Sequence, residues 1–83
     1  MTEPSAAVSA YILVQTEVGK ASTVTLAIRE IAEVTSAEAV SGPYDIVVRA
    51  EAASVDDLGK LVVARVQGIP GITRTIMCVV VHI

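Results

Sequence analysis

The sequence predicts an α+β, ferredoxin-like fold of order βαββαβ, a four-stranded antiparallel sheet with two helices on one face. A strand-like segment, an amphipathic helical segment and a second strand-like segment follow one another twice along the chain. A turn at residues 41–45 separates the two halves of the 83-residue sequence. The last strand is apolar on both faces, which predicts that the sheet dimerises through the face opposite the helices.

The first half contains a strand, a helix and a second strand. Residues 8–15 (VSAYILVQ) are rich in β-formers and are followed by turn residues, which is typical of a strand. A helix is predicted over residues 21–32, because the apolar residues recur at the spacing of one helical face: Val24, Ala27, Ile28 and Ile31. Residues 34–41 predict a second strand whose polar positions indicate a solvated face or an edge position.

The second half repeats this order. Residues 45–52 (DIVVRAEA) predict the third strand. Ser54 followed by two acids predicts the start of a helix over residues 55–67, since a serine side chain caps a helix and acids favour its N-terminal turn. The apolar stripe of this helix consists of Leu58, Leu61, Val62 and Val66. Residues 72–83 (ITRTIMCVVVHI) predict the fourth strand.

The chain carries more apolar surface than a lone domain of its size can bury. Of its residues 53% are hydrophobic, yet a domain of this length buries only roughly 60–65% of its unfolded surface. Neither face of the last strand is polar, since one face holds Met77, Val79 and Val81 and the other holds Ile76, Cys78 and Val80. We therefore predict a homodimer formed through the sheets.

The charge pattern argues against nucleic acid as a direct partner. The net charge is −3 and the six basic residues are scattered, so no basic stripe is present to follow a phosphate backbone. The apolar runs fall short of the ~20 residues of a membrane helix, and the N-terminus lacks the pattern of a signal peptide. Together with a single cysteine, these features predict a cytoplasmic protein without a membrane partner.

The chain length predicts one domain, with residues 1–7 as a flexible N-terminal lead and residues 8–83 as the folded unit. Cys78 lies in an apolar run and is interpreted as a small core residue. The single histidine, His82, has no second histidine as a companion ligand. We therefore predict neither a metal site nor a cofactor.

The turn between the two halves is the first candidate binding site. Gly42 allows a ligand to approach the backbone closely or lets the chain adopt a positive φ. Asp45 can accept hydrogen bonds from an ammonium group, and Tyr44 offers a flat apolar wall with a hydroxyl. An ordinary β-turn in which Asp45 holds backbone N–H groups explains the same residues, and residue chemistry alone favours that simpler interpretation.

Residues 71–75 (GITRT) are the second candidate site. Arg74 can bind a carboxylate and Thr75 can form a hydrogen bond with a ligand. The simpler interpretation, which residue chemistry again favours, is a strand start with a solvated arginine and a β-forming threonine.

Three parts of the sequence carry a family resemblance. The first is AYILV at residues 10–14 with TEVGK at residues 16–20. The second is VSGPYDIVV at residues 40–48, with a G-x-Y-D motif, and the third is IPGITRT at residues 69–75. At this spacing they resemble the C-terminal ligand-binding domain of the Lrp/AsnC family of transcription regulators, also called the RAM domain, over residues 8–82.

The resemblance implies sheet-to-sheet dimers that assemble into higher rings, with an amino acid bound between dimers. It places Gly42, Tyr44 and Asp45 in the effector region and Thr75 nearby on the last strand. Family members often have polar residues where Ile76 and Met77 stand, so an apolar effector is expected. Since only seven residues precede the first strand, the resemblance implies a stand-alone version without the regulators' helix-turn-helix domain.

Three functions remain open on these observations. The first, which we favour, is an amino-acid sensor that modulates transcription or metabolism through partners. The second is a structural oligomerisation module that pairs with a full-length Lrp/AsnC regulator and binds no small molecule. The third is a small dimeric ferredoxin-like enzyme, which needs a general acid or base in a pocket, and the single histidine is nearly terminal. We therefore do not predict an enzyme.

Overall fold

The computed structural model describes residues 7–83, so six of the seven residues of the predicted lead lie outside the described residues. The elements are β1 (Val8–Thr16), α1 (Ala21–Arg29), β2 (Val34–Ala39), β3 (Ile46–Ala52), α2 (Val55–Leu61) and β4 (Ile72–Val79). A π-helical continuation of α2 covers Val62–Val66. Within residues 7–83, no helix combines the length and the apolar character needed to cross a membrane.

The four strands form one sheet in the order β2-β3-β1-β4, and every pair of neighbours is antiparallel. The central strand β1 pairs with β3 on one side and β4 on the other, so that Val14 lies opposite both Ile46 and Thr75. β2 lies at an edge, as its polar residues predict, and β4 forms the other edge. The predicted βαββαβ, ferredoxin-like fold is confirmed.

One hydrophobic core lies between the sheet and the helices. The inward residues of β1 and β3 are fully buried: Ala10, Ile12, Val14, Ile46, Val48 and Ala50. The apolar stripes of both helices join the same cluster through Val24, Ile28, Leu58, Leu61, Val62 and Val66, which confirms the predicted stripes. Each fully buried Val, Ile or Leu side chain contributes about 1.5–3 kcal/mol, so the helices are held mainly by this face.

Three elements end two or more residues earlier than predicted: α1, β4 and β2, which ends at Ala39 rather than at residue 41. α1 ends at Arg29 rather than at residue 32, because the amides of Glu30 and Ile31 donate to the carbonyls of Ala27 and Ile28, three residues back. The chain tightens into a turn there, and Ile31 remains buried. β4 ends at Val79 rather than at residue 83, since its ladder with β1 closes with one further bond, from the Val80 amide to the Ser9 carbonyl.

The start of α2 follows the predicted capping chemistry. The Ser54 hydroxyl accepts a hydrogen bond from the Asp57 amide at 3.1 Å, which satisfies a free N–H of the first turn. The helix then widens, and the Gln67 amide donates to the carbonyl of Val62, five residues back. In this wider turn Val62 and Val66 both face the core.

Gly71 adopts a conformation that other residues avoid. Its φ is +100°, and its carbonyl accepts a hydrogen bond from the Glu17 amide at 2.8 Å. A Cβ added at Gly71 would lie 3.2 Å from both Lys20 Cβ and Val24 Cγ2. Since Val24 is buried in the core, it cannot move aside freely. Backbone and packing therefore both require glycine here.

Gly71→Ala is expected to lower the free energy of unfolding by about 2–3 kcal/mol, because it combines backbone strain with a clash against the core. Urea denaturation measures this loss. Gly42→Ala is the matched control, since Gly42 has no positive φ and an added Cβ would meet nothing within 4 Å. Equal stability of the Gly71→Ala and wild-type proteins would contradict the expectation.

Candidate functional site

The turn at residues 41–45 is fastened to the end of β1 by Asp45. One carboxylate oxygen, Oδ2, accepts hydrogen bonds from the Thr16 amide at 2.8 Å and the Thr16 hydroxyl at 3.3 Å. The Asp45 amide donates to the Val14 carbonyl at 2.9 Å, and its carbonyl accepts from the Val40 amide at 2.9 Å. Asp45 therefore closes its own turn and anchors that turn to the central strand.

The register of the sheet explains this contact. The ladder between β1 and β3 ends where Val14 lies opposite Ile46, so the next amide that points towards β3, that of Thr16, has no strand partner in that ladder. A carboxylate placed one residue before Ile46 meets this amide, and hydrogen bonds to a charged acceptor are about twice as strong as neutral ones. The Gln15 side-chain amide adds a longer bond of 3.4 Å to the Pro43 carbonyl.

Gly42 and Tyr44 shape the outer surface of the same turn. Gly42 is exposed and does not adopt a positive φ. The sequence suggested two reasons for a glycine here, a positive φ or the close approach of a ligand to the backbone, and only the second is compatible with the structure. An added Cβ would point into open space. Tyr44 is half-buried, as is Asp45. Three of the four predicted site residues thus lie together in one turn.

The fourth predicted residue, Thr75, lies elsewhere in the same chain. It stands on β4 opposite Val14, and β1 separates it from the turn. Its hydroxyl accepts a hydrogen bond from the Gln67 side chain at 3.0 Å. A cleft of about 310 Å³ surrounds it, lined by Gln67, Ile72, Thr73, Arg74 and Thr75. The structure therefore groups Thr75 with Arg74, the other half of the second candidate site.

The residues at the end of β1 connect these two regions. The Gln15 carbonyl accepts from the Thr73 hydroxyl at 3.1 Å, while its side chain reaches Pro43 on the opposite side. Sequence reasoning missed the parts played by Gln15, Thr16 and Gln67. Thr16 forms a hydrogen bond with Asp45, 29 positions away in the sequence. A local sequence pattern cannot predict a pairing over that distance.

The expected apolar surroundings of the effector do not lie beside the turn. Ile76 and Met77 are on β4, with β1 between them and β3. Met77 packs against the core, whereas Ile76 lies opposite Leu13 on the other face. The groups around the turn and the cleft are a carboxylate, hydroxyls, amides and a guanidinium, a set of groups able to form charged and neutral hydrogen bonds.

A second surface of interest is the sheet face away from the helices. We call it the open face and define it by Tyr11, Leu13, Val47, Arg49, Ile76 and Cys78. Leu13 is half-buried at its centre, between Val47 on β3 and Ile76 on β4. This alternation confirms that β4 presents apolar residues on both faces, since Met77 and Val79 contact the core.

Cys78 is exposed on the open face, so the interpretation of this cysteine as a core residue is wrong. The register with β1 explains the difference. Cys78 pairs with Tyr11, which faces away from the helices, whereas its neighbours Met77 and Val79 pair with the buried Ile12 and Ala10.

Polar contacts organise one end of the open face. The Arg49 guanidinium stands 5.3 Å from the centre of the Tyr11 ring and donates to the Tyr11 hydroxyl at 3.0 Å. It also donates to the Ser9 hydroxyl at 3.2 Å and lies 3.7 Å from a carboxylate oxygen of Glu51. These contacts link Arg49 to Tyr11, Ser9 and Glu51 beside the apolar centre of the open face.

The amino-acid sequence was compared with models of known protein families, and one family matches. The model of the Lrp/AsnC ligand binding domain matches residues 9–83, nearly the whole chain. No curated protein sequence matches significantly.

Solved structures show the same fold. The chain is similar to FFRP-DM1, with 30% identity, a TM-score of 0.84 and coverage of 89% of this chain and 99% of that one. It is similar to TTHA0845 from Thermus thermophilus, with 24% identity, a TM-score of 0.86 and coverage of 92% and 95%.

Longer regulators contain the fold as one part. The chain is similar to the transcriptional regulator NMB0573 from Neisseria meningitidis, solved as a complex with L-Met, with 18% identity and a TM-score of 0.85. The match covers 99% of this chain but 56% of that regulator.

Proposed function

The chain belongs to the Lrp/AsnC ligand-binding-domain family, and on that premise we propose that it is an amino-acid-sensing and oligomerisation domain. In this proposal it modulates transcription or metabolism through protein partners, and its effector binds at contacts between dimers. The family match over residues 9–83 is the observation that carries the proposal. The similarity to a regulator solved with L-Met supports an amino acid as the class of ligand.

The turn supplies the group that binds the ammonium of the amino acid. Both Thr16 hydrogen bonds are received by Oδ2 of Asp45, which leaves Oδ1 for an ammonium. The carboxylate is held in place by these bonds, so little side-chain freedom is lost when a ligand binds. Gly42 lets the ligand approach the turn backbone, and Tyr44 lies against the ligand side chain.

The cleft at Thr75 supplies the group that binds the carboxylate. Arg74 is exposed beside Thr75, and a guanidinium binds a carboxylate through two parallel hydrogen bonds. Because β1 separates this cleft from the turn of the same chain, one amino acid contacts both only where two copies meet. The turn of one dimer and the cleft of another then complete each site.

Isothermal titration calorimetry with a panel of the twenty amino acids tests this function. We expect one amino acid, or a few of related shape, to bind with saturable heat. The amide of the best ligand, which lacks the carboxylate, and its N-acetyl derivative, which lacks the ammonium, are the controls. Each is expected to bind at least tenfold more weakly, because each removes a charged hydrogen bond.

The structural oligomerisation module is the second candidate function. The observation that favours it is the open face, where Leu13, Val47 and Ile76 remain half-exposed in one copy. Absence of binding heat for every amino acid, in a protein that forms oligomers, would favour this module over the sensor. Co-purification with a full-length Lrp/AsnC regulator would then identify its partner.

A further inference from the structure

Gln67 links the end of the π-helical segment to the cleft at Thr75. Its side-chain Nε2 donates to the Thr75 hydroxyl at 3.0 Å. Gln67 also lines the cleft of about 310 Å³ together with Arg74. The proposed site uses this cleft to bind the ligand carboxylate but gives Gln67 no task, although its side chain contacts a cleft residue directly.

The π-helical turn explains why Gln67 reaches β4. The Gln67 amide donates at 2.8 Å to the carbonyl of Val62, five residues back, so Gln67 follows Val62 along the helix surface. In a regular α-helix Gln67 would follow Val63, four residues back. Val62 is buried against the core, whereas Val63 is 67% exposed. The wider turn, a feature that is frequent at functional sites, therefore rotates Gln67 from the solvent side of the helix towards Thr75.

The hydrogen bond from Gln67 decides what the Thr75 hydroxyl offers to a ligand. A hydroxyl has one proton to donate and two lone pairs that accept. Since Nε2 of Gln67 is a donor, it occupies a lone pair of Thr75 Oγ1, and the hydroxyl proton has to point elsewhere. Among the hydrogen bonds within residues 7–83, this oxygen takes part in that one alone. The proton therefore stays free for an acceptor in the cleft.

A carboxylate is the acceptor that suits this proton best. An ionised carboxylate only accepts hydrogen bonds, and a bond to a charged acceptor is about twice as strong as a neutral one. Arg74 supplies positive charge to the same cleft. Gln67 carries no charge, so it neither neutralises the Arg74 guanidinium nor repels a ligand carboxylate.

We propose that Gln67 is a positioning residue of the amino-acid site, which orients the Thr75 hydroxyl as a hydrogen-bond donor to the ligand carboxylate. Gln67 acts through Thr75 and does not have to touch the ligand. This role rests on the proposed function, because it concerns recognition of the ligand carboxylate at that site. It makes Gln67 one cause of the preference for an amino acid over its uncharged amide.

Gln67→Met tests this role by calorimetric titration with the amino acid identified by the panel. Methionine has a similar helix propensity but no amide group, so the Thr75 hydroxyl becomes free to turn away from the ligand. We expect the affinity for the amino acid to fall about three- to tenfold, the range of one neutral hydrogen bond. The affinity for its amide is expected to fall less, since that ligand has no charged acceptor.

Val63→Met is the matched control for this substitution. It places the same side chain on the exposed side of the same π-helical segment. Its affinity for the amino acid is expected to equal that of the wild-type protein.

A double-mutant cycle with Thr75→Val separates orientation from a direct or a structural effect of Gln67. Thr75→Val removes the hydroxyl that Gln67 orients. Adding Gln67→Met to it is therefore expected to cause no further loss of affinity, whereas independent effects would multiply. Thermal unfolding of the four proteins shows whether any loss of affinity comes from a loss of stability.

Gln67→Glu makes the opposite change at the same position. A carboxylate only accepts, so it takes the Thr75 proton and also brings negative charge towards the ligand carboxylate. We expect the affinity for the amino acid to fall at least tenfold, and the preference for the amino acid over its amide to fall with it.

Losses in Gln67→Met and Thr75→Val that multiply in the double variant would overturn the orienting role. So would an unchanged affinity in Gln67→Met, and both results leave the amino-acid sensor standing. A wild-type protein that binds no amino acid would reject the sensor and the role of Gln67 together.

Discussion

Replacing Leu13 with aspartate is expected to dissociate the sheet dimer. Leu13 lies at the centre of the open face, between Val47 and Ile76. In a dimer formed through this face the substitution buries two unpaired carboxylates, and an unpaired buried charge costs several kcal/mol. We expect the dimer dissociation constant to rise at least a hundredfold, about 3 kcal/mol, as measured by sedimentation equilibrium.

Leu26→Asp is the matched control. Leu26 is 61% exposed on α1, in the helix layer. The same chemical change there leaves the open face untouched, so the mass of the dimer is expected to persist. A Leu13→Asp protein that keeps the dimer mass would reject the open face as the interface.

Labelling of Cys78 measures sheet dimerisation in the wild-type protein, without any substitution. It is the single cysteine of the chain, and it is exposed on the open face of one copy. A sheet dimer covers this thiol, so its rate of labelling by a maleimide is expected to fall as the protein concentration rises. In Leu13→Asp the rate should stay high at every concentration. Labelling that does not depend on concentration in the wild-type protein would contradict the sheet dimer.

Hydrophobic spacing, β-forming residues and turn residues together were sufficient to predict the order of the four strands and two helices, but not the π-helical form of Val62–Val66. The stripes of α1 and α2 fall at helical spacing and all but one of their residues are buried, while Ala27 is half-buried. Spacing did not predict where α1, β2 and β4 end. α1 ends where its hydrogen bonds shift to carbonyls three residues back, and the ladder of β4 ends with the bond from Val80 to Ser9. The prediction that Cys78 lies in the core was wrong because β4 is apolar on both faces, so its sequence does not show which face meets the helices. Only the register with β1 decides this.

The candidate site was predictable in part. The G-x-Y-D motif correctly grouped Gly42, Tyr44 and Asp45 in one turn, since these residues are adjacent in sequence. Thr75 is adjacent to none of them, and its distance from the turn follows from the strand order, in which β1 lies between β3 and β4. The sequence also did not predict that Thr16 donates hydrogen bonds to Asp45. Because of this contact, a substitution that tests Asp45 as a ligand residue has to keep an acceptor for the Thr16 amide.

Asp45→Asn is expected to weaken amino-acid binding about ten- to a hundredfold with little change in stability. The asparagine keeps a side-chain oxygen that can accept from the Thr16 amide, so the turn remains fastened to β1. It lacks the negative charge that holds the ligand ammonium, and the loss of a charge-assisted hydrogen bond costs about 1.5–3 kcal/mol. Calorimetric titration with the amino acid identified by the panel gives the affinity, and thermal unfolding gives the stability.

Asp45→Ala separates the two roles of this carboxylate. It removes both Thr16 hydrogen bonds together with the charge, so it is expected to lose stability as well as affinity, whereas Asp45→Asn loses affinity alone. Thr16→Val is the matched control, because it removes the weaker 3.3 Å bond and retains both the Thr16 amide and the Asp45 charge. Equal affinity in Asp45→Asn and the wild-type protein would exclude the carboxylate charge from the binding site. A loss of stability in Asp45→Ala would then assign Asp45 to holding its turn alone.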